Sequence, residues 1–193
     1  MRERLDREYF ENLYEQSSDP WDFETSLYER CKYECTLDVL QDRQRGYRNA
    51  LEVGCSIGIF TAMLAPLCDK LLAVDVSEKA VAAACKRLAG FPHVRVERRR
   101  LPEETPEKPF DLVVTSEVLY YWPKEVMLAA LRRFEEVLAP GGVLLAVHWR
   151  KETKTYPLQG DEVHELLLRN TRLANTTTIL EPEYRLDLFE DSE

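Results

Sequence analysis

Hydrophobic and polar positions along the chain follow two different periods. From Ala50 onward, short apolar runs read as buried strands: NALEVG, KLLAVDV, HVRVE, FDLVVTS and GGVLLAVHW. Between them lie TAMLAPLC, EKAVAAACKRLAG and KEVMLAALRRFEEVLAPGG, which are alanine-rich or apolar at helical spacing. Ser77 stands at a capping position ahead of the second of these helices, and the third is expected to stop on Pro140-Gly141-Gly142. Such alternation predicts an α/β architecture, a mainly parallel sheet with helices on both faces.

Two segments fall outside the alternation. Ahead of it, SLYERCKYECTLDVLQDRQ predicts an amphipathic helix, with the loop SSDPWDF before it. Behind it come a short helix over Asp161 to Asn170 and two runs, RLANTTTIL and YRLDLF, joined by EPE. That joint has no room for a crossover helix, so the pair is expected as an antiparallel hairpin closing a seven-stranded sheet. At 193 residues and 45% hydrophobic, the chain suffices for one core and is expected to be a single domain. Its expected parts are an N-terminal lid and helix (1–48), a ligand-binding core (49–148) and a terminal helix with hairpin (149–193).

Charge narrows the classes. Asp and Glu number 35 against 26 Lys and Arg, a net charge of −9, which opposes a nucleic-acid footprint. The run Arg98-Arg99-Arg100 is the local exception and reads as a solvated strand end rather than a phosphate site. Five cysteines (Cys31, Cys35, Cys55, Cys68, Cys85) form no CxxC pair, so reduced thiols and no metal site are expected. The start, MRERLDREYFENLYE, lacks an apolar signal core, and no apolar run approaches the roughly 18 residues of a membrane span. The expectation is a soluble cytoplasmic protein with neither a nucleic-acid nor a membrane partner.

The stretch LEVGCSIGIFT, a strand running into a turn and a helix, carries the candidate chemistry. A dinucleotide site would need G-x-G-x-x-G facing a pyrophosphate, whereas this turn reads E-x-G-x-S-x-G. A phosphate loop is excluded because no Lys-Ser or Lys-Thr follows. Asp75, at the end of the next strand, is placed to accept hydrogen bonds from two ribose hydroxyls. Glu52, just ahead of Gly54, would repel a pyrophosphate but suits a cation. Together they fit a positively charged nucleoside without phosphate, namely S-adenosylmethionine.

The series LEVGCSIG, LLAVDVS, FDLVVTSEVLYY and LAPGGVLLAV, spanning Asn49 to His148, resembles the class I S-adenosylmethionine-dependent methyltransferases. SSDPWDF, YERCKY and SEVLYYW are similar to the nodulation-type (NodS-like) N-methyltransferases. The resemblance implies a Rossmann-like fold, an N-terminal segment (Ser17 to Lys32) that closes over the cofactor, and S-adenosylhomocysteine as product. It also implies methyl transfer to the amine of an amino sugar or related small molecule. An O-methyltransferase, or a cofactor-binding partner subunit with little catalysis, is the alternative.

On the cofactor side the resemblance points to Trp21, Arg30, Glu52, Gly54, Cys55, Ser56, Gly58, Asp75, Val76, Leu101 and Glu117. Trp21 covers the cofactor or else anchors the N-terminal helix; Arg30 or Lys32 reaches its carboxylate or else remains surface charge. Leu101 offers a backbone N–H to the base. Two departures stand out: Ser56 replaces the middle glycine, and Arg100 occupies the place where relatives often carry an acid beside adenine. On the acceptor side Glu117, Tyr120 and His148 are the candidate catalytic residues, with Tyr121 as a further wall. Glu117 would hold an ammonium or help remove its proton, and His148 would serve as a base, a structural histidine being its rival. His164 is a weaker candidate, and His93 reads as structural.

Overall fold

The structure, a computed structural model, describes residues 2–107 and 109–191. Its strands are β1 (Ala50–Val53), β2 (Leu71–Asp75), β3 (Val94–Arg98), β4 (Phe110–Ser116), β5 (Leu138–Trp149), β6 (Ala174–Leu180) and β7 (Tyr184–Glu190). They form a seven-stranded sheet in the order β3-β2-β1-β4-β5-β7-β6. The helices are α1 (Arg7–Gln16), α2 (Leu27–Arg43), α3 (Ile59–Leu64), α4 (Glu78–Arg87), α5 (Lys124–Val137) and α6 (Gly160–Asn170). The chain divides into two compact units, Arg7–Arg99 and Met1–Asp6 with Arg100–Glu193.

In the Arg7–Arg99 unit, β1 pairs parallel with β2 and β2 with β3. Every residue of β1 is buried, as a strand covered on both faces requires. Cys55, Ala73, Ala84 and Leu88 form a small buried cluster against which Phe91, Val94 and Val96 pack. The alanines of α4 matter here, because small side chains let the helix lie close to the turn after β1. Ser77 caps α4 by accepting the Ala80 N–H at 3.1 Å, as its position predicts.

The helix α2 is present, but its buried stripe is Lys32, Tyr33, Thr36 and Leu40 rather than an apolar face. Polar members of that stripe are satisfied locally: Thr36 Oγ1 donates to the Lys32 carbonyl at 2.8 Å, and Lys32 pairs with Glu29. The helix α1 was not among the expected elements. Its acids meet the start of α4, where the Glu11 carboxylate accepts the Glu78 N–H at 2.5 Å and Arg7 pairs with Glu78 at 2.9 Å. A carboxylate at a helix N-terminus is favoured by the exposed N–H groups there.

In the second unit, β4 and β5 are parallel, while β7 pairs antiparallel with both β5 and β6. The hairpin is as expected. The stretch Leu138 to Gly142, expected to close α5, instead opens β5: the helix ends at Val137 and the register shifts over this stretch. Buried Val143 to His148, Leu186 to Phe189, and Met127, Ala130, Leu131 and Phe134 of α5 make the core. The last strand in the order, β6, is mostly exposed and rich in threonine. Among the described residues no helix is long and apolar enough to cross a membrane.

Gly58 caps α3 with φ 81°, and a Cβ there would lie 3.1 Å from the Ala84 Cβ and 3.2 Å from its Cα. Gly58→Ala should therefore lower stability by about 1–3 kcal/mol, from the left-handed backbone and the overpacked contact with α4. Urea denaturation would show this as a lower midpoint with an unchanged slope.

Candidate functional site

The turn after β1 is built from three left-handed residues, Gly54 (φ 76°), Ser56 (φ 51°) and Gly58 (φ 81°). Its amides are engaged within the unit. Gly54 and Cys55 both donate to the Val74 carbonyl, Gly58 donates to Cys55, and Ser56 donates to the Asp75 carboxylate at 2.9 Å. A phosphate-binding turn needs its N–H groups aimed at the ligand. Here these four are already used, which removes the basis for an anion.

Asp75 accepts a second N–H, from Ser77, at 2.9 Å on its other oxygen. Burial raises its pKa, and the backbone N–H groups of Ser77, Ser56 and Val76 oppose that rise. Each oxygen retains capacity for a further donor. Glu52 is only 3% exposed, and its Oε2 has no hydrogen-bond partner among the described residues. Burial lifts its pKa from 4.5 to about 7, while the nearby Thr61 hydroxyl pulls the other way. A buried acid with an unsatisfied oxygen is poised to meet a cation.

The loop before α2 is ordered by Asp19, which accepts N–H groups from Phe23 at 3.0 Å and Glu24 at 2.9 Å. Trp21 stacks on Phe23 at 5.5 Å and meets Tyr14 edge-on at 5.8 Å. The Tyr14 hydroxyl reaches Ser56 Oγ at 2.5 Å. Arg30 is exposed and paired with Glu34 at 2.9 Å. Lys32 is buried between the rings of Tyr28 and Tyr33, with Glu29 Oε2 at 2.8 Å.

In the second unit, Glu117 has φ 55° at the end of β4. Its Oε2 accepts the Trp149 N–H at 3.0 Å and the Tyr120 hydroxyl at 2.5 Å. The rings of Tyr120, Tyr121 and Tyr156 pack mutually at centroid distances of 4.7 to 5.0 Å. Residues of the extreme N-terminus bind this group and its neighbours. Leu5 N–H donates to the Tyr121 carbonyl at 3.0 Å, Arg2 to that of Tyr156 at 2.5 Å, and Arg4 to that of buried Leu101. Arg100 is held by Asp6 at 2.5 Å and by Glu103, so it is paired with acids.

His148, expected as a base or else as a structural histidine, has both ring nitrogens engaged. It is fully buried, and its Nε2 accepts the Leu119 N–H at 3.2 Å. A backbone N–H is only a donor, so the proton sits on Nδ1 and is donated to His164 Nε2 at 3.2 Å. His164 in turn donates from Nδ1 to Asp187 at 2.6 Å. Burial lowers the His164 pKa, and hydrogen bonds from His164 and Thr178 hold Asp187 low, so the chain runs from neutral imidazoles to a carboxylate. His148 thus holds the turn after β4 through Nε2 and meets α6 through Nδ1. His93 bonds the Ala65 carbonyl at 3.0 Å. Among the described residues no group of three or more acids, histidines or cysteines is placed to hold a metal ion.

Residues 8–157 match the family described as Nodulation protein S (NodS). The chain belongs to the NodS family. It is 38% identical over 128 residues to nodulation protein S of Bradyrhizobium diazoefficiens, covering 66% of this chain and 61% of that protein. For nodulation protein S of Rhizobium tropici the figures are 35%, 67% and 54%. The chain thus spans about 54–61% of the length of these curated NodS relatives. Among solved structures it is similar to the N-methyltransferase NodS from Bradyrhizobium japonicum WM9 in complex with S-adenosyl-L-homocysteine. The TM-score is 0.87 at 26% identity, over 97% of this chain and 98% of that one. A methyltransferase from Burkholderia thailandensis, 17% identical with TM-score 0.78 over 97% of this chain and 87% of its own, shares the fold. That fold is the Rossmann-like class I methyltransferase fold.

Several features of this NodS-family chain escaped the sequence. Tyr14 lies on a helix whose signal, Phe10, Leu13 and Tyr14 at helical spacing, is masked by surrounding charge. Tyr156 has no motif, and the His148–His164–Asp187 chain exists only because the terminal hairpin brings β7 beside β5. Glu52 generates a measurable consequence. Its folded pKa of about 7 exceeds the unfolded 4.5, so stability is lost as pH rises between those values. Glu52→Gln should stabilise the ligand-free protein above pH 7 by up to about 3 kcal/mol and have little effect near pH 4.5. Denaturant titrations across that range check both sign and window.

Proposed function

We propose that this protein is an S-adenosylmethionine-dependent N-methyltransferase acting on an amine of a small molecule, in the class of amino sugars and related metabolites. The observation that carries the reading is the pairing of a turn with consumed N–H groups and a buried, unsatisfied acid, Glu52, at its base. This combination fits a cationic nucleoside and not a nucleotide phosphate. The complex of the Bradyrhizobium japonicum NodS with S-adenosyl-L-homocysteine supports it.

S-adenosylmethionine supplies a methyl group already activated on a sulfonium, and S-adenosylhomocysteine is the product. The Asp75 carboxylate would accept the ribose hydroxyls, with Val76 beside it. Glu52 would balance the positive charge, and the Gly54–Gly58 turn would admit the methionine moiety at close range. Leu101 would serve the base, and the segment Ser17 to Lys32 would close over the ligand. On the acceptor side, Glu117 Oε2 is fixed by Trp149 and Tyr120, and tyrosine rings stand beside it. A carboxylate among ring faces stabilises an ammonium and can take its proton before attack. The engagement of both His148 nitrogens supports the amine reading over an O-methyl transfer that uses His148 as its base.

S-adenosylhomocysteine should bind, and Asp75→Ala should weaken it at least about tenfold, because hydrogen bonds to a charged group contribute roughly 1.5–3 kcal/mol each. Titration calorimetry on the folded variant reads this, and unchanged affinity would refute the ribose assignment. A labelled-methyl assay of the protein alone against amino sugars, amines and hydroxylated metabolites tests the reaction. Transfer only to hydroxyl groups, or none despite cofactor binding, would overturn it. With an accepted amine, Glu117→Gln should lower kcat and kcat/KM together while leaving S-adenosylhomocysteine affinity nearly unchanged.

A further inference from the structure

The backbone of Ser56 takes φ 51°, a left-handed region that glycine occupies without strain and serine does not. Something must favour the serine. Its side chain answers: Oγ meets the Tyr14 hydroxyl at 2.5 Å, while its N–H donates to Asp75 at 2.9 Å. One residue thus touches the candidate ribose carboxylate with its backbone and helix α1 with its side chain. The same helix is tied to α4 by Glu11 on the Glu78 N–H, by Arg7 on Glu78 and by Lys79 on Glu15. Those ties are exposed ion pairs and a surface cap, weak in solution. The bond to Ser56 is half-buried and sits beside the ligand site.

We infer that Ser56 and Tyr14 form a latch that couples docking of α1 to occupancy of the cofactor turn. The inference rests on the cofactor reading of that turn. Coupling is reciprocal, so ligand should hold α1 down and a docked α1 should tighten ligand. Both members can be removed without disturbing the fold, since Tyr14→Phe keeps the ring and Ser56→Gly suits the left-handed backbone.

The test is a double-mutant cycle read by calorimetry with S-adenosylhomocysteine and by amide exchange in α1. Each single variant should weaken binding roughly two- to tenfold, the range of one neutral hydrogen bond, and speed exchange from Glu11 to Gln16. The double variant should be no worse than either single one. Additive effects, or a Tyr14→Phe protein identical to the parent in both readouts, would overturn the latch. Failure of the parent to bind S-adenosylhomocysteine would overturn the cofactor reading instead, and α1 exchange in the ligand-free variants would still decide the latch.

Discussion

The Asp75 carboxylate is the constraint on which the Arg7–Arg99 unit turns. Sitting at the end of β2, it accepts one N–H from the turn after β1 and another from the start of α4. A single side chain thereby fixes two loops that would otherwise move independently. With those loops fixed, Gly58 can lie against Ala84 and Ser77 can cap α4. Keeping such an acid charged while partly buried requires these N–H donors, because burial alone favours the protonated form. Glu52 shows the contrast: its Oε2 has no partner among the described residues, and its proton is held to near neutral pH.

The second unit solves a similar problem without a buried charge next to the turn. There the turn after β4 is held by a neutral imidazole, His148, whose tautomer is dictated through His164 by Asp187 on β7. The charge is thus removed from the turn by two imidazole rings and is screened by Arg185 and Thr178. Glu117 stays beside this chain and takes its own donors from Trp149 and Tyr120.

Most of the fold was legible because strand and helix periods alternate cleanly from Ala50 to Trp149. The turn and Asp75 were legible because glycine spacing and a strand-end acid are local signals. What escaped the sequence depended on partners remote along the chain or on ambiguous punctuation. Pro140-Gly141-Gly142 reads as a helix stop, yet the helix had already ended and the chain was passing into β5. The stripe of α2 reads as amphipathic, yet it buries Lys32 because Glu29 lies one turn earlier to neutralise it. His148 reads as a base from its place at a strand end, yet the Leu119 N–H meets its lone pair and His164 its other nitrogen, contacts with residues remote along the chain.

The two ends of the strand order are both polar. On β3 Arg95 and Glu97 alternate with valines and Arg98 follows, and on β6 three successive threonines are exposed or half-buried. An outermost strand leaves a row of N–H and C=O groups free to template a foreign strand, the first step of sheet-to-sheet aggregation. Charge on β3 and hydroxyls on β6 keep water along most of those rows, Leu180 at the end of β6 being the exposed apolar exception. A chain with this much β-structure therefore carries its own protection against polymerising through its margins, independent of any chemistry at its centre.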